Sequence, residues 1–573
     1  MRYLGINIGH DASIAIITKD YKVILAISEE RLNRKKNYFG FPYESLKHVP
    51  KGHYQIAISN SYDNWKNTEK RYLEILFNTN LKKYYDPINE RRWGYSFKSK
   101  KKTFDLRSII NIFKSYGIIA DKIDFFDHHE CHAASAIYST DFNNSLIFTA
   151  DGAGDNKSST FYTFENNHLK RIECTYLPNS LGHMYGWATK FLGYKVGRHE
   201  GKLTGLAAYG NMEYIKSKKI VLSHYNFSSK SFVNNYHLEK INSNLIRFKN
   251  LLFRKPHHVT YEKFKKFILK FNLSKSNIAL LAQHNLEESI LNWINYYLSK
   301  FEIKNIVLAG GVFANVRLNQ RISELKNVNN LWVFPEMGDS GLSVGAAYLS
   351  ISKSTKFLNC QREFIDSMLL GPTYDEKTII NSIKNHNLNF KKLNNAPAYI
   401  ADLLSQNKVI GVFSGRMEFG PRALGSRSIL VSPFDKTINQ SLNSRLNRTE
   451  FMPFAPCVLS EYAHEIFEIN DNALKCLQNM TITCRVKKEW INKIQATVHI
   501  DDTARPQLVY KSKQNFYWSI LNEFRKLTDV PVLVNTSFNA HEEPIVCSPE
   551  DAIRSFKDGI VDYLFFESYE VVR

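Results

Sequence analysis

Three glycine-rich loops constrain this chain more than any other feature: GINIGHDAS at 5–13, TADGAGD at 149–155 and LAGGVFANVRLN at 308–319. Each follows an apolar, often β-branched run that predicts a strand. Each also mixes glycine with Asp, Asn, Ser or His. Glycine removes the Cβ, so backbone N–H groups can approach a phosphate closely, and a helix opening behind the loop favours negative charge there. The chain has 573 residues, which at roughly 150 per domain is room for about three or four domains or subdomains. Cores of that size fold without a disulfide or metal staple. The seven cysteines form no CxxC pair and are odd in number, which excludes a zinc ribbon and a secreted disulfide framework.

The pattern around the loops alternates strand and helix. YLGINIG, SIAIITKD and KVILAISEE read as strands, DHHECHAASAIY as a buried helix, and ALLAQHNLEESILNWINYYL as a long amphipathic helix. Residues 60–107 and 211–275 are basic and weakly patterned, and read as inserts, the second one helical. A Ser/Lys-rich stretch at 352–371 marks a boundary. Beyond it, strands (KVIGVFS, PVLVNTSF) alternate with helices (APAYIADLLSQ, NFYWSILNEFRKL, SPEDAIRSFKD). The order and separation of the three loops resemble the phosphate, phosphate and adenosine elements of the actin, sugar-kinase and heat-shock-chaperone ATPases. That makes Gly9, Asp11, Gly152, Gly154, Gly310, Gly311 and Asn315 candidates to hold a nucleotide. His128 and His132 are four apart and share one helical face, so they can grip a metal together. Asp151 and Asp339, each expected at a strand-to-loop exit, would complete a His/His/Asp/Asp shell suited to iron(II), manganese or zinc.

The blocks GINIGHDAS, HHECHAASA, DGAGD, LGHMYGWATKFLG, EGKLTGLAAYG, AGGVFAN, GDSGLSVGAA, FGPRALGSRSIL, FMPFAPCVL and VNTSFNAHEEPIV resemble, in order, those of the O-carbamoyltransferases of the nodulation and antibiotic-tailoring (NodU/CmcH) type. The resemblance implies an actin-like ATPase-fold domain at 1–355 that transfers a carbamoyl group beside the metal. It implies a second α/β domain at 370–573, similar to threonylcarbamoyl-adenylate synthase, that makes carbamoyl-adenylate from carbamoyl phosphate and ATP. Iron(II) is the metal expected first, with manganese or zinc as alternatives.

Arg416, Arg422, Arg427, Arg448 and Arg505 suit phosphate and carbamate oxygens because a guanidinium presents a planar fork of donors; Arg422 is taken as catalytic. Asn535, Ser537 and Asn539 sit at a strand exit, as nucleotide contacts or as turn formers. His10 lies where the family has a histidine that acts on the acceptor, and an imidazole can take the hydroxyl proton. Lys35 and Lys36 are further phosphate candidates.

Lys and Arg outnumber Asp and Glu to give a net charge of +21, which suits anionic substrates, nucleic acid or a membrane surface without choosing among them. The expected partner is a hydroxylated small molecule: a sugar, a nucleotide or a natural product. Nucleic acid is not expected, and the oligomeric state stays open, with a homodimer considered. No apolar run approaches the roughly 18 residues of a bilayer span, and the N-terminus shows no signal peptide, so a cytoplasmic enzyme is expected. Two other readings stand beside this one. A tRNA threonylcarbamoyl-type transferase would leave the second domain unexplained, and a non-catalytic actin-like binding protein would leave the histidines and arginines without work.

Overall fold

The computed structural model describes residues 2–59, 106–237, 256–354, 362–446 and 453–572. Two five-stranded sheets form the first half. In spatial order the first runs Val23–Ser28, Ser13–Thr18, Arg2–Asn7, Gly52–Ser59, Ile118–Phe126. The first three strands are antiparallel neighbours and the last two join in parallel. The second sheet runs His168–Tyr176, Lys157–Glu165, Asn144–Gly154, Asn305–Ala309, Asn330–Val333, with the same change from antiparallel to parallel. Two sheets of identical strand order are the duplicated architecture expected of an actin-like ATPase fold. The parallel joins need crossovers, and helices supply them.

Two helices fill the space between the sheets, His128–Ile137 and Leu342–Ser354. Both carry small residues where they meet, for a steric reason. A Cβ on Gly345 would lie 1.9 Å from the Cys131 carbonyl oxygen, and one on Gly5 would lie 1.8 Å from that of Ser343. The helix Leu342–Ser354 is thus wedged against a strand of one sheet and the histidine-bearing helix of the other.

The second half centres on an eight-stranded mixed sheet. Helices Glu376–Asn385 and Pro549–Lys557 cover one face, and Ala396–Ser405 and Asn515–Thr528 cover the other. The segment 463–504 departs from this plan: its apolar side chains, among them Ile466, Phe467, Leu477 and Trp490, join the core of the first half. Arginines bolt the halves together. Arg31 donates to the Gly420 carbonyl at 2.8 Å, and Arg34 to those of Ile545 and Pro544 at 2.6 and 2.8 Å.

Several expectations need adjusting. DGAGD is not a free loop: the strand Asn144–Gly154 runs through it, and Gly154 pairs with Lys157. The insert 211–275 is not all helical, because a hairpin, Ser223–Asn226 with Ser231–Asn234, lies between helices Met212–Lys218 and Pro256–Leu269. The insert at 60–107 lies almost wholly outside the described residues. The six described cysteines are free. Among the described residues no helix is long and apolar enough to cross a membrane.

The wedge predicts that Gly345→Ala destabilises the protein by about 1–3 kcal/mol, the usual cost of overpacking a rigid core. Chemical denaturation would read this directly, and an unchanged midpoint would refute the close approach.

Candidate metal centre and arginine loop

The centre is built from the His128–Ile137 helix outward. Asp127 caps its N-terminus, accepting from the N–H groups of His129 and Glu130, while Lys157 donates to its other oxygen at 2.5 Å. With the first turn pinned, His128 and His132 point along one face. The His128 Nε2 lies 3.3 Å from Asp151 Oδ2 and 3.6 Å from Asp339 Oδ1. The His132 Nε2 is 3.6 Å from both of the same oxygens. All four ligand atoms fall within 4.8 Å of one another. Asp151 lies within its strand rather than at a loop exit, and Asp339 opens a short 3₁₀ turn, Asp339–Gly341.

These four residues fit a divalent cation. His132 is 0% exposed, and among the described residues neither ring nitrogen has a hydrogen-bond partner. A buried imidazole without a hydrogen bond is costly, and a cation bound at Nε2 would remove that cost. The electrostatics are those of an unmet charge demand. Burial opposes ionisation of Asp151, but its contacts with His128 and His132 hold its carboxyl well below the usual range. Burial likewise opposes charge on His128, yet Asp339 and Asp151 push it up to about 9. His129, the third histidine of the string, turns away. Its Nδ1 meets Thr149 Oγ1 at 2.8 Å, and burial together with His128 and His132 pushes it down to about 3.

The glycines leave room for the side chains of this centre. A Cβ on Gly154 would strike the His128 ring at 2.1 Å. Gly310 adopts a φ of 101°, and a Cβ there would lie 2.3 Å from the Ala150 carbonyl oxygen. A Cβ on Gly311 would press Asp151 Oδ1 at 2.9 Å, whereas Gly152 has open space apart from the His183 ring. Asn315 is engaged with protein groups. Its oxygen caps Leu318 N, and its amide is exchanged with that of Gln283.

His10 follows Gly9 in a two-residue strand and stands at the rim. Its ring is 42% exposed, with Nδ1 2.8 Å from Asp11 Oδ2 and 3.8 Å from Asp339 Oδ2. The hydrogen bond to Asp11, against partial burial and with help from Asp339 and Asp151, raises it to about 9. Glu336, a buried carboxyl three residues before Asp339, lies outside the motif residues. Burial and the charge of Asp11 push it up to about 8 against the pull of Arg31. Its adjacency to GDSG was the available signal.

The arginine cluster divides. Arg427 is 0% exposed, stacks on Phe413 and donates to the Ser414, Gly415 and Ser426 carbonyls. Arg416 donates to Ile24, Leu370 and Gly371 carbonyls. Both hold backbone in place. The Asn535 amide supports the Ala423 carbonyl and Gln507, and the Asn539 amide its own turn at Ala540 and Glu543. Arg422, Arg505 and Ser537 are half-buried, Lys35 is exposed and Lys36 half-buried. Arg448 lies outside the described residues.

A second histidine group, His199, His541 and Glu542, has a different character. The Lys195 backbone N–H donates to His199 Nδ1 at 3.3 Å, so the ring proton sits on Nε2 and faces Glu542 Oε1 at 3.1 Å. Lys195 and Arg198 donate to the other Glu542 oxygen, and these three contacts outweigh burial to hold the carboxyl near 2. With Lys195, Arg198 and His199 gathered on one carboxylate, the group is an ion-pair clasp between the two halves.

Comparison with known proteins agrees with this architecture. The family model described as "Carbamoyltransferase N-terminus" matches residues 2–348, and "Carbamoyltransferase C-terminus" matches 401–573. The chain is 30% identical to "Uncharacterized protein MJ1058" of Methanocaldococcus jannaschii over 98% of each chain. It is 29% identical to "Nodulation protein NolNO" of Sinorhizobium fredii over 98% of this chain and 78% of that one. It is 31% identical to "Nodulation protein NolO" of Bradyrhizobium diazoefficiens over 76% and 77%. The chain is an enzyme of the carbamoyltransferase family.

Metal binding should be proton-linked. His128 carries its proton below about pH 9 in the metal-free protein, and a ligating imidazole must lose it. Affinity for a divalent cation should therefore rise about tenfold per pH unit between pH 7 and 9, with proton release seen by calorimetry in buffers of different ionisation enthalpy. His132→Ala should abolish stoichiometric metal by elemental analysis. Metal retained in that variant would remove the centre.

Proposed function

We propose that this carbamoyltransferase divides its reaction between two sites and delivers the carbamoyl group to a hydroxyl of a sugar, nucleotide or natural product. In the second half, water releases phosphate from carbamoyl phosphate. A carbamate oxygen then bonds to the α-phosphorus of ATP, the bond to the β-phosphate bridge breaks, and pyrophosphate leaves. Arg422, in its glycine-bounded loop, supplies a guanidinium for the anionic oxygens. In the first half, the acceptor oxygen bonds to the carbamoyl carbon, the carbon–oxygen bond to phosphate breaks, and AMP leaves.

His10 takes the hydroxyl proton at its imidazole. The observation that carries this reading is the contrast at the rim: two buried histidines and two half-buried aspartates behind, and one 42%-exposed histidine in front, 3.8 Å from Asp339. A divalent cation held by His128, His132, Asp151 and Asp339, with iron(II) the first candidate, would supply positive charge for the carbonyl oxyanion and weaken the hold of Asp151 and Asp339 on the His10 proton. Asp11 keeps the ring oriented.

Three outcomes test the division. Arg422→Ala should stop pyrophosphate release from carbamoyl phosphate and ATP while leaving the fold and bound metal intact; wild-type release would overturn its role. His10→Ala should still release pyrophosphate yet lose about 10²–10⁴-fold in transfer, the worth of a general base. Unimpaired transfer would make His10 a turn residue.

The pH profile gives the third. A base must be neutral, so transfer should climb with pH until His10 deprotonates. In the metal-loaded enzyme that midpoint should lie below the value of about 9 of the metal-free protein, because a cation would offset the part that Asp339 and Asp151 add to the Asp11 hydrogen bond. His10→Ala should flatten the climb.

A further inference from the structure

The loop 419–426 that carries Arg422 has no regular secondary structure, so its buried backbone groups must find partners elsewhere. One side chain meets three of them. Glu418 Oε1 accepts from the N–H groups of Leu424 at 2.8 Å, Ser426 at 2.8 Å and Arg427 at 3.0 Å. Glu418 is 3% exposed, and its Oε2 is buried without a partner among the described residues. Burying an ionised carboxylate is expensive unless it is well hydrogen-bonded, and three N–H donors to one charged oxygen are the strong kind of bond.

The loop's carbonyls are tied from other directions. Gln507 and Gln514 donate to Leu424 O at 2.8 and 2.7 Å, Asn535 to Ala423 O at 3.1 Å, and Arg31 of the first half to Gly420 O at 2.8 Å. Every N–H restraint on the C-terminal side of Arg422 named here passes through Glu418, except that of Gly425, which Ser428 takes.

We propose that Glu418 is a positioning residue: its carboxylate locks loop 419–426 in the shape that presents the Arg422 guanidinium to a phosphate-bearing substrate. This rests on the role given to Arg422 above. Glu418 itself touches no substrate in this reading and acts through Arg422.

The test compares Glu418→Gln, which keeps an acceptor oxygen, with Glu418→Ala, which removes it. Amide hydrogen exchange at Leu424, Ser426 and Arg427 should accelerate by about 10–100-fold in Glu418→Ala, the worth of a lost bond to a charged group, and much less in Glu418→Gln. Pyrophosphate, titrated by calorimetry as the probe, should bind at least about tenfold more weakly to Glu418→Ala, and the loss should vanish in an Arg422→Ala background because the two residues act as one unit.

Unchanged exchange, unchanged pyrophosphate affinity or full additivity with Arg422→Ala would each overturn the proposal. Should Glu418→Ala fail to fold, Glu418→Asp, which withdraws the oxygen by one methylene, takes its place against Glu418→Gln. If wild-type enzyme releases no pyrophosphate from carbamoyl phosphate and ATP, the two-site function falls, while exchange and pyrophosphate binding still decide the role of Glu418.

Discussion

The structure turns on the meeting of two imidazoles with two carboxylates inside a protein core. Bringing Asp151 and Asp339 close together would repel them, and burying them would neutralise one, were His128 and His132 not aimed at the same oxygens. That compensation depends on geometry set elsewhere: Asp127 and Lys157 fix the first turn of the histidine helix, and glycines keep Cβ atoms out of the ring's path. The duplicated sheets supply the frame. A helix wedged between them brings a residue near 130 and one near 340 to the same point, which no local structure could do.

The second constraint is the junction of the halves. Arg31 and Arg34 cross from the first half to backbone carbonyls of the second, and the clasp at Glu542 joins Lys195, Arg198 and His199 to it. Arg31 is mostly buried and ends on Gly420, two residues before Arg422. The arginine loop is therefore tied to the metal-bearing half as well as to its own sheet, so the two sites share a rigid boundary. The basic composition is partly explained here: several arginines are structural donors to carbonyl oxygen rather than a surface for anions.

Much of this was legible in the order of residues alone. The HHECH string places its first and last histidines on one helical face by periodicity, the first and third glycine loops follow their strands, and the motif blocks name the family. Those are local signals, and local signals survive in sequence. The fate of each arginine did not. Arg416, Arg422 and Arg427 share one Gly- and Pro-rich segment, yet two of them spend their forks on carbonyls and only the tertiary fold decides which. The same holds for Asn315, whose amide found Gln283, and for Glu418 and Glu336, which carry no motif of their own. A side chain's hydrogen-bond partner is fixed by which backbone group is buried beside it, and that neighbour arrives from a distant part of the chain.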